Sequence, residues 1–260
     1  MGEHIRLETE TAPGVATIRL DRPKVNAIDA GMVTDLTDIC ADLATDTDVL
    51  SVIVWGGPKV FAAGADIEQF PNLDRPGALA FSQRLNAALL AVEHLPQITI
   101  AAVAGYALGG GLEVALSTDF RMAADTAKFG VPEIQLGIIP GGGGTQRLAR
   151  LAGVTMAKEM VYTGRHIGAD EAKGAHIVSS IHDPDSLYDD AIAKAIEYAK
   201  GPASLRMAKE AILEGLHLPL TEAVALESER FADAFETDDG RIGIQSFLDN
   251  GPGKAEFTGR

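Results

Sequence analysis

The sequence has little cysteine, few aromatic residues and a shortage of positive charge. Its 260 residues include one cysteine and 5% aromatics, and 22 Lys and Arg face 37 Asp and Glu, for a net charge of −15. Because Cys40 alone forms neither an internal disulfide nor a thiolate metal site, we predict a reducing, cytoplasmic location. The acidic balance argues against nucleic-acid binding, which needs a basic surface to neutralise phosphates.

Several motifs of common cofactor and catalytic sites are also absent. The only Gly-Lys pair, Gly253-Lys254, is followed by Ala255, and no Gly-x-Gly-x-x-Gly opens a helix after a strand. These absences exclude a P-loop and a dinucleotide-binding fingerprint. Neither Gly-x-Ser-x-Gly nor His-Glu-x-x-His occurs, so we expect no hydrolase elbow of that type and no catalytic metal.

One uncharged stretch approaches the length of a membrane span. Residues 95–112 lack charge over 18 positions, but they include Pro96, Gln97, Thr99 and four glycines. This composition indicates a buried strand, a glycine-rich turn and the start of a buried helix rather than a spanning helix. We therefore predict a protein that does not enter the membrane.

The first half of the chain alternates between strand and helix patterns. Short runs rich in β-branched residues at 15–20, 50–55 and 98–103 predict strands. Apolar residues spaced by three and four predict helices over 33–43 and 78–92. Strands that alternate with helices indicate an α/β sheet protein.

The last third of the chain carries helical signals only. Strand patterns stop near residue 184, and Val224, Phe231 and Phe235 fall on one helical face. Asp238 and Asp239 suit the first turn of a last helix. We predict a core with the active site over 1–195 and a helical C-terminal subdomain over 196–260.

Two segments of small residues follow predicted strands. They are 61–67 and 105–113, at the strand ends where α/β proteins bind ligands. The second segment should open a helix over 112–116, whose first amides have no partner within the helix. Two backbone N–H groups that converge from such segments would form an oxyanion hole.

Two glutamates lie in otherwise apolar runs. Glu113 stands in Gly-Leu-Glu-Val-Ala-Leu and Glu133 in Val-Pro-Glu-Ile-Gln-Leu. A buried, unpaired charge costs several kcal/mol, so each is turned outward, paired or kept for chemistry. Beside an oxyanion hole, burial and mutual repulsion would give one proton donor and one acceptor near neutral pH.

These residues belong to a set of stretches that together carry a family resemblance. The stretches are Asp21-Arg-Pro-Lys-Val-Asn-Ala-Ile28, Phe61-Ala-Ala-Gly-Ala-Asp-Ile67, Ala101-Ala-Val-Ala-Gly-Tyr-Ala-Leu-Gly-Gly-Gly-Leu-Glu113, Phe129-Gly-Val-Pro-Glu133 with Leu136-Gly137, and Ile139-Pro-Gly-Gly-Gly-Gly-Thr-Gln-Arg-Leu148. In this order and spacing, the chain resembles the enoyl-CoA hydratase/isomerase (crotonase) family essentially from end to end.

The resemblance implies a fold, a ligand and a reaction. The fold would be an α/β spiral of ββα units with a helical C-terminal trimerisation region, assembled as trimers or dimers of trimers. The ligand would be an acyl-coenzyme A thioester, with no separate cofactor. The chain looks most like an enoyl-CoA hydratase, a lyase that adds water syn to a 2-trans-enoyl-CoA and yields 3-hydroxyacyl-CoA, as in fatty-acid β-oxidation.

The resemblance also implies roles for individual positions. The N–H groups of Ala65 and Gly110 would hold the thioester oxygen, Glu113 would activate the water, and Glu133 would protonate the α-carbon. Contacts to the substrate and CoA are expected from a larger set, namely Lys24, Ala63, Ala65, Asp66, Ile67, Gly109, Gly110 and Lys254.

Two features of this chain depart from the family pattern near the nucleotide. Glu68 stands where the family often has a lysine, and the turn at 22–26 is one residue shorter than the commoner form. Because a chain of net charge −15 repels phosphates at long range, local cations must compensate. Arg22 and Lys59 lie near the relevant turns, as does Lys24.

Three alternatives to the hydratase remain open at this stage. One is an isomerase that moves a double bond from the 3- to the 2-position, and another is a different crotonase-type reaction on a specialised acyl-CoA. The third is a CoA-binding scaffold or an RNA-binding member of the superfamily. The sequence does not reveal the acyl chain length or distinguish a trimer from a hexamer.

Overall fold

The computed structural model describes residues 4–259, which form ten strands and nine α-helices. In chain order the strands are β1 (Ile5–Ala12), β2 (Val15–Leu20), β3 (Ser51–Trp55), β4 (Ala62–Ala63), β5 (Ile98–Val103), β6 (Tyr106–Leu108), β7 (Phe120–Ala124), β8 (Lys128–Gly130), β9 (Ile167–Gly168) and β10 (Ser180–His182). The helices are α1 (Ala30–Thr45), α2 (Arg75–Glu93), α3 (Gly110–Leu116), α4 (Gly144–Thr163), α5 (Ala169–Gly174), α6 (Leu187–Ala199), α7 (Ser204–Gly215), α8 (Leu220–Glu236) and α9 (Asp238–Asn250). Two 3-10 helices span Ile67–Asn72 and Pro132–Leu136.

The strands form two sheets. The larger sheet has the order β1-β2-β3-β5-β7-β10, and the smaller has the order β4-β6-β8-β9. Pairing is antiparallel only between β1 and β2 and between β8 and β9. The larger sheet is therefore parallel over most of its width, which suits strands that are buried on both faces.

The chain visits the two sheets in turn, and this alternation produces a spiral. A strand of the larger sheet, a strand of the smaller sheet and then a helix follow one another three times, as β3-β4-α2, β5-β6-α3 and β7-β8-α4. The predicted α/β spiral of ββα units is thereby confirmed. Each turn ends with a helix that leaves the smaller sheet, and this sheet lines the site described below.

Most of the predicted elements of the core are confirmed. The strands predicted at 15–20 and 98–103 have the same bounds as β2 and β5, and every residue of β5 is buried. The predicted helix over 33–43 lies within α1, which begins three residues earlier because Asp29 caps it by accepting a hydrogen bond from the Met32 amide at 2.8 Å.

One boundary near the site differs from the prediction. The helix predicted over 112–116 begins at Gly110, so that two glycines form its first turn. The all-buried sequence of α3 explains the difference, because packing stabilises a helical glycine that intrinsic propensity disfavours.

Helices α7, α8 and α9 follow the last strand, in agreement with the helical C-terminal pattern. A buried ion pair attaches α7 to the sheet, since Lys209 Nζ lies 2.8 Å from Asp119 Oδ2 and donates to Gln97 O at 2.8 Å. The predicted boundary between residues 195 and 196 falls within α6. The division of the chain into two subdomains stays a prediction.

None of the helices within residues 4–259 combines the length and the apolar composition that crossing a bilayer requires. The uncharged stretch at 95–112 instead contributes β5, β6 and the first turns of α3. Its interpretation as a strand, a turn and a buried helix is confirmed.

Candidate active site

Glu113 is buried in α3 and held by a glycine loop. The residue as a whole is 1% exposed. Its Oε1 accepts hydrogen bonds from the amides of Gly142 at 2.8 Å and Gly144 at 2.7 Å. Burial raises the pKa of Glu113, and the two amides and the charge of Arg147 oppose this rise without cancelling it. A carboxylate in this position is a stronger base than a solvated glutamate.

The loop that holds Glu113 admits no side chains at the contact points. A Cβ on Gly142 would lie 2.6 Å from Glu113 Oε2, and one on Gly144 would lie 2.9 Å from Oε1. Both distances are too short for a carbon against an oxygen. The glycine run is therefore required by the close approach of backbone to carboxylate.

Helix α2 fixes the position of this loop. Ser82 Oγ and Asn86 Nδ2 donate to Gly141 O at 2.6 and 2.7 Å. On the other side, Arg147 donates to Gly142 O at 2.9 Å and forms an ion pair with Glu93 at 2.6 Å. The amides that bind Glu113 are thus held from both sides before any ligand arrives.

Glu133 has a raised pKa and an unpaired oxygen. It lies in the 3-10 helix Pro132–Leu136. Its pKa is raised to about 7, because burial and, to a smaller extent, the charge of Glu113 raise it more than its own amide lowers it. Its Oε2 is buried and has no hydrogen-bond partner among residues 4–259. Near neutral pH this carboxyl group therefore exchanges a proton readily.

The backbone at Gly109 connects Glu133 to the first small-residue segment. A Cβ on Gly109 would lie 2.7 Å from Glu133 Oε1 and 3.5 Å from the Cα of Gly64. Both glycines have positive φ, +50° and +90° respectively. The carboxyl group of Glu133 therefore lies against the turn that enters α3, with the segment around Gly64 beside it.

The amides of Ala65 and Gly110 lie close together and are not engaged elsewhere. A Cβ on Gly110 would lie 3.6 Å from Ala65 N. The neighbours of Ala65 pair with Ile28, which donates to Gly64 O at 2.9 Å and accepts from Asp66 N at 2.8 Å. Neither the Ala65 nor the Gly110 N–H donates a hydrogen bond within the described chain. Two free donors side by side are the arrangement that an oxyanion requires.

The structure thus brings together the four residues predicted to carry the chemistry, namely Ala65, Gly110, Glu113 and Glu133. Of the predicted CoA contacts, Ala63 lies in β4 and Gly109 at the start of α3, beside this cluster. Their roles in binding stay predictions.

The predicted cationic contacts lie outside this cluster. Lys24 and Lys254 are exposed, and neither forms a hydrogen bond or an ion pair within residues 4–259. Ile67 is 53% exposed at the start of its 3-10 helix.

Arg22 and Asp66 bind each other, which corrects the expectation that Arg22 is a free cation near the nucleotide. Arg22 Nη2 lies 2.7 Å from Asp66 Oδ2, and Arg22 Nε lies 3.0 Å from Asp29 Oδ2. With two carboxylates as partners, the guanidinium has little charge left for a phosphate. The short turn that carries it is held by Asn26, whose side chain donates to Gly56 O at 2.8 Å.

An aromatic pair connects the 3-10 helix Ile67–Asn72 to helix α2. The rings of Phe70 and Phe81 meet edge to face with centroids 6.0 Å apart. Phe70 lies five residues after Ala65, and Phe81 lies one helical turn before Leu85, whose Cδ2 would be 2.9 Å from a Cβ on Gly142. The pair therefore joins the 3-10 helix that follows Ala65 to helix α2, which holds the glycine loop.

Several of these supporting residues were not predicted. The partners of Glu113 in the glycine loop are 29 and 31 residues away in sequence, and Ser82 and Asn86 lie in no motif. The run of four glycines at 141–144 was the only signal in the sequence, since such a run indicates backbone that must approach something closely.

A spiral of ββα units carries two free amides beside the carboxyl groups of Glu113 and Glu133. This is the site of an acid–base enzyme that stabilises an oxyanion, and comparison with known proteins identifies the family. The family described as enoyl-CoA hydratase/isomerase matches residues 10–260. The short-chain-enoyl-CoA hydratase of Clostridium acetobutylicum is 38% identical over 90% of this chain and 91% of its own length. The crotonyl-CoA hydratase of Syntrophomonas wolfei is 38% identical over 99% of both chains. The chain belongs to the enoyl-CoA hydratase/isomerase family.

Solved structures agree with this assignment. A crystal structure of an enoyl-CoA hydratase from Bacillus anthracis superposes with a TM-score of 0.93 at 35% identity, over 99% of this chain and 100% of that one. An enoyl-CoA hydratase from Geobacillus kaustophilus gives a TM-score of 0.95 at 32% identity, over 100% of this chain and 98% of that one.

Proposed function

We propose that the protein is an enoyl-CoA hydratase, which adds water to a 2-trans-enoyl-CoA and yields 3-hydroxyacyl-CoA. The observation that carries the proposal is the pairing of buried Glu113 with half-buried Glu133, whose Oε2 is buried, beside the free amides of Ala65 and Gly110. The names of the relatives support the same reaction.

The two amides account for the stabilisation of the charged intermediate. When water adds to a conjugated thioester, negative charge develops on the carbonyl oxygen. The N–H groups of Ala65 and Gly110 would donate to that oxygen in a site shielded from water. Loss of one such donor typically slows a reaction about 10²- to 10³-fold.

The two glutamates divide the proton transfers. Charged Glu113 accepts a proton from the water whose oxygen bonds to C3, and neutral Glu133 donates a proton to C2. Transfer of a proton from Glu113 back to Glu133 through solvent restores the starting state. Hydration needs Glu133 protonated, so kcat/KM for hydration should fall above its pKa of about 7.

The thioester would be bound by its CoA portion along the same strand ends. We assign contacts to Lys24, Ala63, Asp66, Ile67, Gly109 and Lys254, in addition to the two oxyanion donors. Exposed Lys24 and Lys254 offer the unpaired positive charge that phosphates require. CoA is part of the substrate here, and the reaction as written needs no further cofactor.

The apolar face of the C-terminal helices supports a homotrimer or a dimer of trimers. Leu216, Leu220, Phe231 and Leu248 are 68–78% exposed. Exposed apolar side chains in this number mark a protein interface. Light scattering at several protein concentrations tests the assembly. The cytoplasmic location predicted from the single cysteine belongs to this proposal as well.

The alternatives receive less support from the site. An isomerase moves one proton between carbons and should survive the loss of one glutamate far better than a hydratase. A scaffold or RNA-binding protein does not need two buried carboxyl groups whose pKa values are raised.

Crotonyl-CoA tests the proposal directly. Wild type should remove the absorbance of the conjugated thioester, and Glu113→Gln and Glu133→Gln should each slow this loss by about 10²- to 10⁴-fold. Glu10→Gln, on exposed β1, is the matched control and should retain full activity. A wild-type enzyme inactive on crotonyl-CoA and on longer enoyl-CoAs would overturn the hydratase. Activity on a 3-enoyl-CoA that survives one glutamate variant would favour the isomerase.

A further inference from the structure

A serine, a histidine and an aspartate form a hydrogen-bonded chain at the β10 edge of the larger sheet. Ser180 Oγ lies 2.7 Å from His182 Nε2, and His182 Nδ1 lies 2.9 Å from Asp190 Oδ2. Ser186 Oγ donates to the same aspartate oxygen at 2.8 Å. None of these residues takes part in the site proposed above.

The secondary structure explains why the three side chains meet. Ser180 and His182 are two residues apart in β10, so their side chains point to the same face of the sheet. Asp190 lies in the first turn of α6, which packs on the larger sheet. Strand and helix together place the carboxylate behind the imidazole and the hydroxyl in front of it.

The partners of the imidazole determine its tautomer. The carboxylate of Asp190 only accepts hydrogen bonds when charged, so neutral His182 carries its proton on Nδ1. Its Nε2 is then an acceptor and faces the hydroxyl of Ser180. The hydrogen bonds from Ser186 and His182 lower the pKa of Asp190 and so keep it charged. Nucleophile, base and orienting acid stand in the order that serine hydrolases use.

Ser180 is half-buried at the edge of the sheet, and the strand supplies a backbone donor beside it. Strand β10 ends the order of the larger sheet, and the Ser179 amide points toward β7, where it donates to Arg121 O at 2.8 Å. Successive amides along a strand alternate in direction, so the Ser180 N–H points away from β7. This N–H lies beside the oxyanion that attack by its own hydroxyl would form. The His182 side chain is 20% exposed, and that of Asp190 is 42% exposed.

We infer that Ser180, His182 and Asp190 form a second reactive site, which hydrolyses small activated acyl esters through an acyl-serine. Ser180 Oγ attacks the carbonyl carbon while its proton passes to His182 Nε2. The bond to the leaving oxygen breaks, and the leaving group takes that proton. Water then attacks the acyl-serine with the same base, releasing the carboxylic acid and restoring the hydroxyl. The sum is ester and water to acid and alcohol, so no further reactant is needed.

A fluorophosphonate probe tests the nucleophile without relying on turnover. Reaction forms a bond from Ser180 Oγ to phosphorus and expels fluoride, and the labelled peptide is identified by mass spectrometry. Wild type should be labelled at Ser180, and Ser180→Ala should not. His182→Gln should lower the labelling rate by about 10²- to 10⁴-fold. Ser228→Ala, at an exposed serine of α8, is the matched control and should label at the wild-type rate.

A second readout separates reactivity from folding. Hydrolysis of p-nitrophenyl acetate should show the same order of rates among the variants, whose circular dichroism and melting should match wild type. Removal of crotonyl-CoA should be unaffected, so this inference and the proposed hydratase stand or fall separately. An unlabelled Ser180 in the folded wild type overturns the inference, as does equal labelling in His182→Gln, because either result leaves the hydroxyl unactivated.

Discussion

The raised pKa of Glu133 predicts that this carboxyl group destabilises the folded protein when it is charged. Its Oε2 is buried and has no hydrogen-bond partner in the described part of the chain, and its pKa is raised from 4.5 to about 7 mainly by burial. A group needed for chemistry is thus held in an environment that disfavours its ionised form. Replacement by glutamine removes the charge and keeps the shape, so Glu133→Gln should slow hydration by about 10²- to 10⁴-fold and alter how stability depends on pH.

The sign and the size of this effect follow from the pKa. Between pH 4.5 and about 7 the folded protein holds a proton on Glu133 that the unfolded chain has lost. The free energy of unfolding contributed by this group therefore falls as pH rises through that window. Each pH unit corresponds to about 1.4 kcal/mol, which gives a loss of about 3 kcal/mol by about pH 8. The Glu133→Gln variant does not undergo this loss, because a glutamine side chain does not ionise.

Urea unfolding at several pH values and a fixed protomer concentration measures the difference. The free energy of unfolding of Glu133→Gln minus that of wild type should increase by about 3 kcal/mol from about pH 4 to about pH 8. Burying the side-chain amide of the glutamine should change the free energy of unfolding by the same amount at every pH. Only the part of the difference that varies with pH therefore tests the prediction. Glu10→Gln, on exposed β1, should show no such increase. A flat difference for Glu133→Gln would refute the claim that burial raises this pKa.

Three further substitutions probe the surroundings of the site and the attachment of the C-terminal helices. Gly142→Ala should lower kcat for crotonyl-CoA by about 10²-fold. The new Cβ would lie 2.6 Å from Glu113 Oε2, which is too close, so the carboxylate would have to move. Lys209→Met should lower the free energy of unfolding in urea by about 3–5 kcal/mol, since it leaves the half-buried carboxylate of Asp119 without the cation that it pairs with. Phe81→Ala should raise the ratio of decenoyl-CoA to crotonyl-CoA kcat/KM by about tenfold. An unchanged value in any of these assays contradicts the contact on which that prediction depends.

The sequence predicts the three central strands of the larger sheet, β2, β3 and β5, and no strand of the smaller sheet, and strand length is one reason. Strand β5 has six consecutive buried residues, enough for an apolar run to stand out. Strands β4 and β9 have two residues each, too few to show any period. Strand β7 was missed for another reason. It contains Arg121, a buried cation whose guanidinium donates to the carbonyls of Ile177 and Thr118, a pattern that no local rule associates with a strand.

The same reasoning explains which part of the candidate site the sequence predicts. Glu113 and Glu133 stand out because a charge in an apolar run conflicts with its neighbours, and such local conflicts are expected where chemistry is kept. The groups that hold Glu113 have no local signature, because they are backbone N–H groups of the glycine loop, and every residue type except proline has one. Only the small size of Gly142 and Gly144 is recorded in the sequence, and its cause lies in a side chain about thirty residues away. A sequence therefore shows where side chains carry chemistry, whereas backbone that carries chemistry shows only as the absence of side chains.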